Sequence, residues 1–322
     1  MELSGKRVLV TGGAGFIGSH LVEASIREGA HVVVIDNLSS GRLANVERWF
    51  NTSDFIFKKG DLTIPGDVKE ALEDCEVVFH TAANPEVVAG TKDTTLDFRQ
   101  NLLATYNLLE GMRENPTAKT VTFTSTSTVY GDATVLPTPE SYGPLEPISL
   151  YGASKLGCEA LISAYRHTFN IRAVIYRLAN IVGSRSHRGV IYDFVRKLRL
   201  DPMRLDILGD GTQRKSYLYI DDCIEAILLG LSHAEENLEV FNVGSRDQLD
   251  VSTIARIVCE EMRLTDVKFS YTGGVHGGRG WEGDVKFMFL DTKRLRNIGW
   301  RPSYNSREAV RMTVKALLQE TS

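Results

Sequence analysis

The chain has 322 residues, 43% of them hydrophobic and 24% charged, with 37 Lys plus Arg against 41 Asp plus Glu and a net charge of −4. That length suits about two domains, and the composition excludes a disordered chain while supplying material for a large core. No basic surplus points to nucleic acid or an anionic membrane, and no apolar run approaches the ~18 residues of a spanning helix.

From the start, short β-branched runs alternate with helical patterns. Arg7–Thr11 reads as a strand, 15–28 as a helix and His31–Asp36 as a second strand. Further strands are expected at 54–59, 76–81, 120–125 and 172–177, and long helices at 94–113 and 149–169. Alternation of this kind predicts an α/β fold built of βαβ units around a parallel sheet. Beyond residue 180 the pattern loosens. Helical stretches near 190–199, 221–232, 252–263 and 306–319 stand between loop-rich segments at 183–189, 209–216 and 272–283. The expected division is a dinucleotide-binding domain over 1–177 and a smaller α/β substrate domain over 178–322, with segments near 217–245 returning to the first. Cys75, Cys158, Cys223 and Cys259 lie far apart and form no CxxC pair or metal spacing. Buried reduced thiols, no metal centre and a cytoplasmic location are expected, since no signal-peptide apolar stretch precedes Lys6.

Gly12-Gly13-Ala14-Gly15-Phe16-Ile17-Gly18 lies between the first strand and the first helix. A pyrophosphate needs exposed backbone N–H groups and a helix N-terminus, because both carry partial positive charge. Gly12 permits a tight turn, Gly15 a close phosphate approach and Gly18 close packing of helix on strand. Gly13, Gly15 and Gly18 also satisfy GxGxxG, so the glycines alone do not fix the subtype. Asp36 ends the second strand, where a carboxylate accepts from both adenosine ribose hydroxyls and repels a 2′-phosphate, favouring NAD over NADP. Arg42 nearby argues slightly the other way, though a loop arginine is usually solvated. Asn37, Ser39 and Ser40 are placed to meet the adenosine, and Asp61, beside Leu62, its amino group. Ala82 and Ala83 give a small surface for the cofactor, whereas His80 reads as a packed structural histidine. Together these residues predict a Rossmann doubly wound sheet.

Tyr151 and Lys155 stand four apart on an expected helix, hence on one face. An ammonium and a positively charged nicotinamide both favour the phenolate over the phenol, which ordinarily titrates near ~10. The pair therefore predicts a general base. Thr124 to Thr128 bring hydroxyls to the carboxyl end of the fifth strand, in the cofactor crevice.

These stretches, with Asn101, 177–180, 209–222 and 281–284, resemble the extended short-chain dehydrogenase/reductase family in order along nearly the whole chain. Within it the resemblance is to NAD-dependent epimerase/dehydratase members acting on sugar nucleotides, the UDP-hexose 4-epimerases above all. It implies Tyr151 as base, Lys155 as its electrostatic partner and ribose contact, and Thr126 as the catalytic hydroxyl, with Ser125 and Ser127 as neighbours. Asn101 would support the site, and Ser125 and Leu178 would border the cofactor. Dehydratases of the family carry an Asp-Glu pair where Ser127-Thr128 stands here, and decarboxylating relatives a glutamate at 128. The hydroxyls favour epimerisation over elimination, and the resemblance implies that it runs through a 4-keto sugar and interconverts UDP-galactose and UDP-glucose.

For the nucleotide, the resemblance points to Asn180, the backbone of Gly189 and Val190, and a cation at Lys215 with Arg214 beside it. A family arginine three residues before Asp284 is Trp281 here, leaving Arg279 as a candidate. Met288 stands at the family's sugar-size gate. An N-acetylhexosamine or glucuronate 4-epimerase, a reductase and a non-catalytic NAD-binding protein are the runner-up readings. A homodimer through the helices at 94–113 and 149–169 is expected.

Overall fold

The computed structural model describes residues 2–234 and 238–320. The first half runs β1 (Arg7–Thr11), α1 (Phe16–Arg27), β2 (His31–Asp36), β3 (Phe55–Lys59), α2 (Pro65–Ala71), β4 (Val77–His80), α3 (Ala89–Lys92), α4 (Thr94–Asp97), α5 (Ala104–Glu114), β5 (Thr120–Thr126), α6 (Leu150–Phe169) and β6 (Arg172–Leu178). The second half continues with β7 (Asn180–Val182), α7 (Gly189–Leu200), β8 (Arg204–Ile207), β9 (Arg214–Lys215), β10 (Tyr217–Tyr219), α8 (Ile220–His233), β11 (Leu238–Val243), β12 (Leu249–Asp250), α9 (Val251–Glu261), β13 (Lys268–Tyr271), β14 (Phe287–Met288), α10 (Lys293–Asn297) and α11 (Ser306–Gln319).

Two compact units result. The first holds Met1–Val129, Leu150–Arg177 and Ile224–Phe241; the second holds Tyr130–Ser149, Leu178–Cys223 and Asn242–Ser322. The first is a seven-stranded sheet in the order β11-β6-β5-β4-β1-β2-β3 with flanking helices, the expected doubly wound fold. β1 pairs in parallel with both β2 and β4, aligning Thr11 with Ile35 and His80. Strand order therefore reverses at β1, and a ligand crevice opens at the carboxyl ends of β1 and β4. β2 and β5 are buried almost throughout because helices cover both sheet faces. Leu9, Val33, Leu108, Leu109, Met112, Phe123, Cys158 and Ile162 pack as one core beneath α5 and α6. Each of the Leu, Val, Ile, Met and Phe side chains among them stabilises the fold by about 1.5–3 kcal/mol relative to exposure.

The stretch expected as one helix over 94–113 is not continuous. α4 passes into a π-helical segment, Phe98–Leu103, before α5 begins. The inserted residue rotates the helix and turns Asn101 inward, where it is fully buried. The segment 209–216, expected as loop, contains β9, which joins β12 and β14 in a three-stranded sheet of the second unit. All four cysteines are buried and free.

Candidate active site

The turn after β1 is built for an anion. Gly12 has φ +67°, a conformation that favours glycine, and its N–H donates to Ile35 O at 2.8 Å. A Cβ at Gly12 would stand 2.8 Å from Ala82 Cα, and one at Gly15 would stand 3.0 Å from Gly12 O. At Gly18 it would collide with Gly12 O, so only glycine lets α1 start this close to the turn. Gly15 caps α1 without a side-chain hydrogen bond, which leaves the first N–H groups, at Phe16, Ile17 and Gly18, for a ligand. Thr81 Oγ1 donates to Thr11 O at 2.6 Å and Ala82 N to Thr11 Oγ1 at 3.2 Å, fixing Ala82 and Ala83 beside the glycine turn. These features fit a dinucleotide pyrophosphate.

Asp36 is buried at the end of β2 and accepts from Ala14 N at 3.0 Å and Leu38 N at 2.8 Å. Burial raises its carboxyl, while those two N–H groups oppose the rise. Asp36 thus braces the phosphate turn from Ala14 and still has lone pairs for a ribose. Asn37 Nδ2 donates to Asp61 Oδ2 at 2.9 Å, coupling the ends of β2 and β3. Ser39 and Ser40 are exposed in the following bend, and Leu62 is buried with its carbonyl held by Asn107. We expect Asp36→Ala to weaken NAD binding about tenfold or more and to lessen discrimination against NADP. Titration with both cofactors reads this directly, and an unchanged preference would remove Asp36 from cofactor selection.

α6 carries Tyr151 and Lys155 one turn apart. Lys155 is 2% exposed, its Nζ donates to Thr124 O at 2.8 Å, and its ammonium stands 4.3 Å from the Phe123 ring centroid. Burial lowers it to about 8, against smaller opposing effects of Cys158 and Glu159. Burial raises the Tyr151 phenol, with the Asp97 carboxylate and Cys158 adding to the rise. Within this chain alone the phenol therefore holds its proton. A bound positive charge beside it is what would favour the phenolate.

His80, lowered to about 3 by burial and then by the Lys155 charge, is a neutral structural ring. Its nitrogens meet Thr11 Oγ1 at 2.8 Å and Thr105 Oγ1 at 2.9 Å. Thr126, at the end of β5, is buried, and its Oγ1 accepts from Thr128 N and Thr128 Oγ1, both at 3.2 Å. Its own proton remains available to a ligand. Ser125 Oγ instead donates to Glu159 Oε1 at 2.5 Å, and Glu159 forms a buried pair with Arg177 at 2.7 Å. The Ser125 hydroxyl is thereby committed to that network. Ser127 is buried in the turn Ser127–Tyr130. Asn101 Oδ1 accepts from Asn84 N at 2.8 Å, and its Nδ2 donates to Ser154 Oγ at 2.9 Å, so it holds backbone and α6.

Leu178 is buried at the end of β6. In the second unit, Asn180 begins β7 and its side chain bonds the Tyr217 phenol, lowering it against a larger rise from burial. α7 begins at Gly189 (φ +84°) and Val190, and Arg188 before it provides no side-chain cap. Lys215 Nζ pairs with the buried Asp284 at 2.5 Å and stands 5.5 Å from the Trp281 ring centroid. Arg279 pairs with Asp132 at 2.7 Å and also donates to Asp284 O at 2.7 Å. Both candidate cations are thus already countered by carboxylates. Arg214 lines a separate groove with Phe287 and Arg256. Neighbouring residues of a strand point to opposite faces, so Arg214 and Lys215 do not act on one group. Met288, opposite Lys215 in the sheet, is buried. The described residues include no group of three or more His, Cys, Asp or Glu able to hold a metal and no helix long and apolar enough to cross a membrane.

A glycine turn with an acid at the next strand, joined to a Tyr-Lys pair and a strand-end threonine, defines an NAD-dependent enzyme of the short-chain dehydrogenase/reductase type. The comparisons agree. A profile of the NAD dependent epimerase/dehydratase family matches residues 8–244, and the chain belongs to that family. It is 31% identical over 316 residues to a UDP-glucose 4-epimerase of Mycolicibacterium smegmatis, covering 96% of this chain and 97% of the relative. A crystal structure of a UDP-galactose 4-epimerase shares 42% identity and superposes with a TM-score of 0.87 over 98% of this chain and 100% of that one. A Bacillus cereus UDP-glucuronic acid 4-epimerase, solved with UDP-glucuronic acid and NAD, shares 29% identity and a TM-score of 0.87 over 98% and 99% of the two chains.

Proposed function

We propose that this chain is a UDP-sugar 4-epimerase whose substrates are UDP-galactose and UDP-glucose. The observation that carries the reading is the trio of Tyr151, Lys155 and Thr126 with only hydroxyls at Ser127 and Thr128. Elimination of water or loss of carbon dioxide would ask for a carboxylate there. NAD, when bound, supplies reversible oxidation at the sugar's C4.

The protein's part is positional and acid–base. Gly12, Gly15 and the first turn of α1 hold the pyrophosphate, Asp36 the adenosine ribose, and Lys155 the second ribose. Thr126 orients the C4 hydroxyl, and Tyr151 takes its proton and later returns one. A 4-keto sugar is the intermediate. Inversion requires it to present its other face, so the nucleotide must be gripped while the sugar turns. Asn180, the N–H groups at Gly189 and Val190, Lys215 and Arg279 are assigned to the nucleotide end, with Asp284 holding both cations, Lys215 through its carboxylate and Arg279 through its carbonyl. Binding energy far from the reacting carbon then positions a mobile group.

Met288 is buried yet unbranched and adaptable, which keeps N-acetylhexosamine and glucuronate forms as the second reading. Phe98, Tyr106 and Phe169 are exposed on the helices at 98–106 and α6, and they support a homodimer. A cytoplasmic location completes the reading. UDP-galactose incubated with the enzyme and NAD is expected to give UDP-glucose with no net gain in reduced nicotinamide absorbance. Stoichiometric reduction would make the chain a dehydrogenase, and preference for an N-acetylated or uronate sugar would select the second reading.

A further inference from the structure

α4 ends on a carboxylate that the reaction does not use. Asp97 is 1% exposed. Its Oδ1 accepts from Asn84 Nδ2 at 2.9 Å and from Asn101 Nδ2 at 3.3 Å. Its Oδ2 is buried and has no hydrogen-bond partner among the described residues. Gly90 lies so close that a Cβ there would collide with Oδ2, and the same Cβ would reach Leu150, the first residue of α6, at 3.8 Å. A buried carboxylate with one oxygen left unbonded costs stability. Structural duty alone would be served as well by an amide.

The bonds run from Asp97 to the base. Asn101 Nδ2 donates both to Asp97 Oδ1 and to Ser154 Oγ, and Ser154 Oγ donates to Tyr151 O at 2.8 Å. Asn84, tied to Asp97 and Asn101, continues the segment that carries Ala82 and Ala83 beside the glycine turn. Asp97 therefore joins the cofactor-bearing loop to the catalytic turn of α6.

We propose that Asp97 is a positioning residue for the reaction above, one that fixes the Tyr151 turn through Asn101 and Ser154 and sets a buried carboxylate behind it. The inference rests on Tyr151 being the base. The titratable groups described around this site besides Asp97 are Lys155, Cys158, Glu159, itself paired with Arg177, and His80. Lys155 and Cys158 lie on α6 itself, and His80 on β4 stays neutral. The Asp97 charge raises the phenol and its own carboxyl is raised by burial, so the two groups resist being ionised together. Proton release then waits for the ligands that bring positive charge.

The test is Asp97→Asn in the NAD-loaded enzyme, which keeps shape and removes charge. The rising limb of kcat/KM against pH is expected to move to lower pH by about half a unit or more. The phenolate absorbance that disappears on adding Tyr151→Phe, measured in both backgrounds, isolates one tyrosine and should shift the same way. Superimposable profiles and titrations, with effects on melting temperature alone, would overturn the proposal. If Asp97→Asn does not fold, Asp97→Ser must give the same direction of shift, and an unshifted titration there overturns it equally. Failure to turn over any UDP-sugar would sink the epimerase reading instead, while the spectral titration would still decide Asp97.

Discussion

Replacing Tyr151 by phenylalanine is expected to lower kcat by about 10²–10⁴-fold while leaving NAD bound, because the substitution removes one oxygen and almost no packing. The magnitude follows from the task. Oxidising a secondary alcohol at neutral pH leaves a proton with nowhere to go unless a base accepts it in the transition state. Among the described residues of the first unit, the other candidate side chains are already engaged. His80 is locked between two threonines, Ser125 is bound to Glu159, and Lys155 points at Thr124 O and Phe123. Steady-state kinetics with UDP-galactose, alongside a cofactor titration, separates loss of chemistry from loss of binding. Turnover within a few-fold of the parent would mean that another group takes the proton.

The second large effect has opposite signs for activity and stability. Lys155→Met is expected to abolish most turnover and yet to raise the stability of the protein stripped of NAD. The buried ammonium titrates at about 8 instead of 10.5. Folding therefore disfavours its charged form by about 3 kcal/mol. Below pH 8 both states carry the proton and that penalty is present in full. Between about 8 and 10.5 the unfolded chain binds more protons than the folded one, so stability rises with pH in that window. Methionine removes the penalty and gives up the bond to Thr124 O, worth about 1 kcal/mol. A net gain of about 1–2 kcal/mol near neutral pH remains, fading toward pH 10. Melting curves of both proteins across pH check it; a lower melting temperature for the variant at pH 7 would show that the ammonium is better compensated than its surroundings indicate.

The sheet was legible because its strands are covered on both faces. β1 and β2 are continuous apolar runs with polar edges, and their limits coincide with the expected ones. The glycine turn and the Tyr-Lys spacing are local patterns whose physics is complete within a dozen residues. What escaped was set by distant partners. The π-helical break at Phe98–Leu103 has no periodicity of its own and exists because Asn101 bonds Asn84 and Ser154. α2 lies outside the expected helices, although Pro65 at its first turn is a recognisable start. β7, β9, β12 and β14 are two or three residues long and take their conformation from neighbours far along the chain. The same distance hides the pairing of Lys215 with Asp284 and of Arg279 with Asp132, 69 and 147 residues apart. Nothing local to the sequence marks Asp97, whose role lies in a buried oxygen without a partner among the described residues.

On the proposed reading of Lys215 and Arg279 as diphosphate ligands, those two ion pairs set the cost of binding. A diphosphate meeting Lys215 or Arg279 competes with a carboxylate already in place, and lysine offers no planar fork. Binding there exchanges one anion for another, so its net gain is smaller than that of a free cation.

The most direct measurement uses UDP-galactose deuterated at C4, with the enzyme, NAD and excess unlabelled reduced cofactor in solution. Removal and return of hydrogen at one carbon by a single bound nicotinamide predicts UDP-glucose that keeps its deuterium at C4. Loss of the label to the cofactor pool, or its presence elsewhere on the sugar, would contradict the account.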